Sequence, residues 1–150
     1  MSGDAKTDGA FAGKRVLVSG ATSGIGRATA LAFAAAGAAV VAAGRDAARG
    51  AELVEAVQAA GGTAWFQAAD LERPEAAAAM VAGAAERLGG LDIAVNNAGY
   101  QEPRRPLAEQ SDAAYERVFA VNVRAVFQAM KAELGVMLPA DAETVGVGAG

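Results

Sequence analysis

The 150-residue sequence has no cysteine and no histidine, one tryptophan and two tyrosines. Lack of cysteine excludes a disulfide framework, a thiolate metal site and a cysteine nucleophile. Lack of histidine excludes imidazole ligands and any Ser-His-Asp relay. No apolar run approaches the roughly 18 residues of a membrane span, and residues 1–9 are too polar for a signal-peptide core. Charge of one sign is scarce as well: 13 basic residues face 17 acidic ones, a net charge of −4, without the basic patch that a nucleic acid would need. These absences lead us to expect a soluble, cytoplasmic protein with neither nucleic acid nor membrane as partner.

Alanine is abundant. It accounts for 42 residues, against 15 valines, 9 leucines and 5 phenylalanines, so helices can pack closely while few large side chains fill the core. The length favours a single domain that buries a core without staples. Short apolar runs alternate with helix-like stretches. Arg15–Ser19 reads as a strand, followed by a glycine turn and a helix whose expected inner stripe is Ile25, Ala28, Ala32, Phe33 and Ala36, stopped at Gly37. Residues 39–43 form a second strand. Asp46 can cap a helix with Leu53, Val54 and Val57 on one face, closed by Gly61 and Gly62. Thr63–Ala68 is a third strand. Pro74 suits the first turn of a helix with Ala77, Met80 or Val81, Ala84 and Leu88 inside, ended by Gly89 and Gly90. A fourth strand spans 91–96. Ser111 can cap a long helix reaching about Leu134, with Tyr115, Val118, Phe119, Val126 and Met130 on its stripe.

Strands alternating with helices at this spacing predict parallel strands joined by right-handed crossovers. The expected fold is α/β, a Rossmann-type doubly wound sheet of order 3-2-1-4 with a ligand crevice between strands 1 and 4. One domain is expected over 1–150, with residues 1–13 flexible and 139–150 irregular.

The sharpest local signal lies between the first strand and its helix: Gly20, Ala21, Thr22, Ser23, Gly24, Ile25, Gly26. Glycines allow a tight turn and close approach of a pyrophosphate, and the helix start supplies free N–H groups. The spacing G-x-x-x-G-x-G is neither the G-x-G-x-x-G fingerprint nor a phosphate loop ending in Gly-Lys-Ser/Thr. A plain strand-to-helix turn of small residues remains the competing account.

Residues 19–26 resemble the Thr-Gly-x-x-x-Gly-x-Gly segment of short-chain dehydrogenases/reductases, with Ser19 in the Thr position. Three more segments match in order: Asp70 and Leu71 at the end of strand 3; Asn96, Asn97, Ala98 and Gly99 at the end of strand 4; and Asn122. The resemblance implies a site for a nicotinamide dinucleotide formed by Gly20, Thr22, Ser23, Gly24, Ile25, Gly26, Arg45, Asp70, Leu71, Asn97, Ala98 and Gly99. It assigns Asp70 to the adenine, where capping the next helix is the alternative. It makes Asn122 the one catalytic-site member present, holding a water of a proton relay. A polar amide on an apolar stripe could equally pin the helix, because it costs free energy unless hydrogen-bonded. Asn96 and Asn97 could likewise tie strand 4 to its neighbour.

At the end of strand 2 the sequence is Ala43, Gly44, Arg45, Asp46. Glycine stands where NAD-specific relatives carry Asp, and Arg45 could pair with a 2′-phosphate, so NADP(H) is favoured over NAD(H). In the competing account Arg45 is solvated, and Asp46 discriminates or caps the helix.

The family's general acid is a tyrosine with a lysine four residues later, accompanied by a serine. Here Tyr100 is followed by Arg104 and Tyr115 by Phe119, both tyrosines precede Asn122, and no serine follows Ser111. The pair would fall past Gly150. The sequence is therefore expected to be a partial oxidoreductase of this family, acting on a small alcohol or carbonyl in full form but binding cofactor without turnover as it stands. A non-catalytic nucleotide-binding or interaction module on the same fold is the alternative. No metal site is expected. A homo-oligomer formed through the long helix around 112–134 is expected, since the resemblance places subunit contacts there.

Overall fold

The computed structural model describes residues 9–138. Four strands, β1 (Arg15–Ser19), β2 (Ala39–Gly44), β3 (Thr63–Ala68) and β4 (Ile93–Val95), form one parallel sheet in the order β3-β2-β1-β4. This is the expected order. The central strands β1 and β2 are buried on both faces, as strands of all-parallel sheets are, while β3 and β4 at the edges are half-buried. Along β1 the pleat sends Val16 and Val18 into one core with Val40, Ala30, Leu53 and Val57. Leu17 goes to the opposite core with Val41, Met80, Val81, Ala125 and Ala129. Helices α1 (Gly24–Ala35) and α2 (Ala47–Ala59) therefore cover one face, and α3 (Ala76–Leu88) and α5 (Ala125–Met137) the other.

Local chemistry explains most boundaries. Asp46 caps α2 by accepting the N–H of Arg49 at 3.0 Å, and Gly89 ends α3 in the left-handed conformation. The strands' amino ends are clamped by Asp92, which accepts from the backbone N–H of Arg15 (2.9 Å) and from its guanidinium (2.8 and 2.9 Å). Those bonds hold the Asp92 carboxyl well below the usual aspartate range.

Three expectations need correction. The inner face of α1 is Gly26, Ala30 and Ala34, whereas Ile25 is 79% exposed. Small residues let the helix lie close on the sheet, and Ile25 is left at the crevice. Secondly, the long helix is not one regular helix. It comprises α4 (Asp112–Phe119), capped by Ser111 as expected, then a π-helical segment (Ala120–Arg124), then α5. Its buried face is Val121, Ala125, Ala129 and Glu133, while Tyr115, Phe119 and Met130 are exposed. Packing against the alanines of α3 again selects the small side chains. Thirdly, part of the expected flexible start is docked: Phe11 meets Phe33 edge-on at 4.9 Å and its N–H donates to the Ala36 oxygen at 3.0 Å. Residues 1–8 and the expected irregular tail 139–150 lie outside the described residues.

Among the described residues no helix is long and apolar enough to cross a membrane.

Candidate functional site

The carboxyl ends of the strands open into a crevice of about 950 Å³, at the position where open α/β sheets bind ligands. Its floor is the turn after β1. Gly20 is held at φ +64°, and a Cβ there would stand 2.8 Å from the Ala98 Cα. Gly26 lies beneath the turn rather than on the crevice wall; a Cβ on it would stand 2.2 Å from the Gly20 oxygen and 2.4 Å from the Asn97 amide nitrogen. Both glycines are fixed by the close passage of β1, α1 and the end of β4.

Ser19 and Asn97 lock that passage. The Ser19 hydroxyl accepts the backbone N–H of Asn97 and of Ala98, each at 3.1 Å, and donates to the Val95 oxygen at 3.4 Å. The Asn97 amide donates to the oxygens of Ser19 and Gly20, each at 3.3 Å. Asn96 faces the other way and donates to Glu133 on α5 at 3.1 Å. Asn97 therefore ties the end of β4 to the neighbouring strand β1, as its position suggested, whereas Asn96 ties it to α5 instead.

Above the floor, Thr22, Ser23, Gly24 and Ile25 line the crevice. Ser23, at the N-cap of α1, makes no side-chain cap bond, and the first turn carries no acid. A Cβ on Gly24 would meet nothing within 4 Å. Uncapped amides at the positive end of a helix dipole, with open space before them, suit an anion such as a pyrophosphate. The residues present thus fit a dinucleotide.

Asp70 and Leu71 border the crevice beyond β3. The Asp70 carboxylate accepts the N–H of Glu72 at 3.2 Å and does not cap α3, whose N-cap is Glu75. At the end of β2, a Cβ on Gly44 would stand 2.7 Å from the Thr22 methyl. Arg45 lines the crevice and lies 3.6 Å from a Glu72 carboxylate oxygen.

Asn122 is not in this crevice. It lies in a neighbouring concavity of about 630 Å³ that shares Ala98, Gly99 and Tyr100 with it. The Asn122 Oδ1 accepts the Tyr100 N–H at 2.7 Å, and its Nδ2 donates to the Tyr100 oxygen at 2.8 Å. The side chain is exposed rather than on the buried stripe, and it sits in the middle of the π-helical segment. Such segments often accompany functional sites.

Several residues at the site were not read from sequence. Glu72 and Arg49 also line the crevice. Arg117 reaches the Tyr100 hydroxyl (3.1 Å) and Glu102 (3.2 Å). For Glu72 a signal existed, because it follows Asp70 and Leu71 directly off the carboxyl end of a strand. For Arg117 there was none; charged residues on a helix ordinarily face solvent. Among the described residues no cluster of acidic side chains could hold a metal ion.

The fold and crevice define a doubly wound α/β protein of the dinucleotide-binding kind. A family model for short chain dehydrogenase matches residues 14–147, and the chain belongs to that family. It is 40% identical over 139 residues to a 3beta-hydroxysteroid dehydrogenase of Mediterraneibacter gnavus, covering 93% of this chain and 50% of the relative. It is also 40% identical over 126 residues to an A-factor type gamma-butyrolactone 1'-reductase of Streptomyces virginiae, covering 84% and 49%. A short chain dehydrogenase from Burkholderia cenocepacia, solved in complex with NADP, superposes with a TM-score of 0.81 at 38% identity, covering 85% of this chain and 52% of that one. The chain spans about half the length of the curated relatives it matches.

Proposed function

We propose that this chain is the cofactor-binding part of an oxidoreductase that transfers hydride between a nicotinamide and a small alcohol or carbonyl substrate, forming a single partial domain. The observation that carries this reading is the uncapped start of α1 at the crevice, with open space at Gly24. The family supports the chemistry, and the relatives include both a dehydrogenase and a reductase.

NADP(H) is the favoured cofactor. Thr22 closes the space at Gly44 where an acid would select a free ribose hydroxyl, and Arg45 follows immediately. The NADP complex of the Burkholderia relative supports a nicotinamide cofactor. Gly20, Thr22, Ser23, Gly24 and Ile25 would receive the pyrophosphate. Asp70 and Leu71 would border the adenine, while Asn97, Ala98 and Gly99 would flank the nicotinamide ribose, with Gly26 keeping the turn closed. Asn122 would serve the catalytic concavity. A bound nicotinamide supplies the hydride; these 150 residues contain no Tyr-x-x-x-Lys pair to supply the proton, so binding without turnover is the expected behaviour. A second copy of the chain is the proposed partner for the exposed apolar side of α4 and α5.

Titration of the purified chain with NADPH, followed by nicotinamide fluorescence, tests the cofactor reading. Saturable binding tighter than that of NADH is expected, and absence of binding to either nucleotide overturns it. Reduction of a ketone panel by the chain would overturn the expectation of binding without turnover.

A further inference from the structure

The adenosine end of the crevice carries two arginines, Arg45 and Arg49, against three carboxylates, Asp46, Asp70 and Glu72. Arg49, in the first turn of α2, and Asp46, its N-cap, pair with each other at 3.5 Å. Asp70 is turned to the N–H of Glu72. Glu72 differs from the other two acids because it joins cations from separate elements. One of its oxygens lies 3.6 Å from Arg45, after β2, and the other 3.5 Å from Arg117, on α4. Its backbone oxygen also accepts from Arg124 at 2.7 Å, which anchors the main chain at Glu72.

We propose that Glu72 sets the preference of this crevice between 2′-phosphorylated and unphosphorylated adenine dinucleotides, by competing with the 2′-phosphate for Arg45. The inference rests on the cofactor reading above and adds a specificity-determining residue to it. Arg45 can leave Glu72 for a phosphate because the carboxylate keeps a second cation, Arg117, on its other oxygen. Without that second partner, releasing Arg45 would leave Glu72 beside an added dianion, and like charges at close range repel. The exchange thus opposes NADP(H) binding moderately, whereas NAD(H), which makes no claim on Arg45, is unaffected. Arg117 also holds the Tyr100 hydroxyl and Glu102, so the same carboxylate ties the cofactor end to the loop bordering the second concavity.

Equilibrium titrations of the purified chain with NADPH and NADH test this through the ratio of the two dissociation constants. Glu72→Gln should strengthen NADPH binding by about two- to fivefold, the range of a partly exposed ion pair, with NADH unchanged. Arg117→Gln should shift the ratio the other way, because Glu72 then keeps Arg45 as its one side-chain cation. Glu75→Gln removes the same charge at the start of α3, where no bond to Arg45 exists, and should leave the ratio unchanged. The inference is overturned if Glu72→Gln leaves the ratio unchanged, if Glu75→Gln shifts it equally, or if both Glu72→Gln and Arg117→Gln shift it in one direction. Failure of both nucleotides to bind instead overturns the cofactor reading itself, and this inference with it.

Discussion

Asn96, one residue past β4, donates its side-chain amide to the Glu133 carboxylate on α5 at 3.1 Å, and Glu133 is 6% exposed. A single hydrogen bond thus joins the edge strand to the helix behind it. The other Glu133 oxygen is buried without a hydrogen-bond partner among the described residues. Burial pushes the carboxyl above the usual glutamate range, and the bond from Asn96 opposes this more weakly.

This placement predicts a pH dependence of stability. A carboxyl with a raised folded pKa holds its proton more tightly in the folded state. Its contribution is therefore fully present below the ordinary glutamate pKa and is lost as pH rises through the raised folded value. Glu133→Gln keeps the shape and an acceptor for Asn96 but removes the titration. Urea denaturation should find the variant as stable as wild type near pH 4 and more stable at pH 7. A constant difference across that range would show that the Glu133 carboxyl titrates alike in the folded and unfolded states.

The glycines of the β1–α1 turn are expected to separate by mechanism. Alanine at 26 would place Cβ 2.2 Å from the Gly20 oxygen, a backbone atom that cannot step aside. Overpacking of this kind costs about 1–3 kcal/mol, and the cost should fall near the top of that range because Asn97 is displaced too. Alanine at 24 meets open space but inherits φ +54°, a left-handed strain of about 1 kcal/mol. Chemical denaturation should therefore rank Gly26→Ala well below Gly24→Ala in stability, and equal losses would contradict the close passage.

Asn122→Ala removes both bonds to the Tyr100 backbone. Each is worth about 0.5–1.5 kcal/mol net. Tyr100 lies in a loop rather than in the sheet, so the loss should be local. Amide hydrogen exchange at Tyr100 should accelerate by about tenfold while the melting temperature hardly moves. Unchanged exchange at Tyr100 would mean that Asn122 does not hold the loop.

Much of this architecture was legible in the sequence because its signals are local. Strand runs bounded by glycine, the Asp46 and Ser111 caps and the left-handed stop at Gly89 each act within a few residues. The crevice residues were legible for the same reason, since strand ends and the turn after β1 set their position. The inner faces of α1, α4 and α5 were not. In a chain with 42 alanines, the residues that pack best are the small ones, so Ala125 and Ala129 are buried while Phe119 and Phe127 are exposed. A hydrophobic-stripe reading weighs size and points to the wrong side. Glu133 did leave a trace: it continues Val121, Ala125 and Ala129 at a spacing of four, so a charge there implies a buried partner. The ion pairs of Glu72 join residues far apart in sequence, and nothing in a local pattern announces them.

That same inversion sets the last prediction. Tyr115, Phe119, Val123, Phe127, Met130 and Leu134 run along the outer side of α4, the π-helical segment and α5, and Phe127 is 67% exposed. Tyr115 and Phe119 already stack on each other at 4.4 Å, so the stripe is ordered and presents large rings rather than scattered methyl groups. A contiguous exposed apolar surface on one helical side marks an interaction site, and a two-fold pairing can bury it against itself. Light scattering of the purified chain should therefore report a species larger than a monomer. Phe127→Glu places a charge in the middle of the stripe, where it would be buried without a partner, and should shift the chain toward monomer. Because Phe127 contributes little to the core, the far-ultraviolet spectrum should not change. A wild-type chain that stays monomeric at high concentration would refute the pairing. An assembly indifferent to Phe127→Glu would place the contact elsewhere on the molecule.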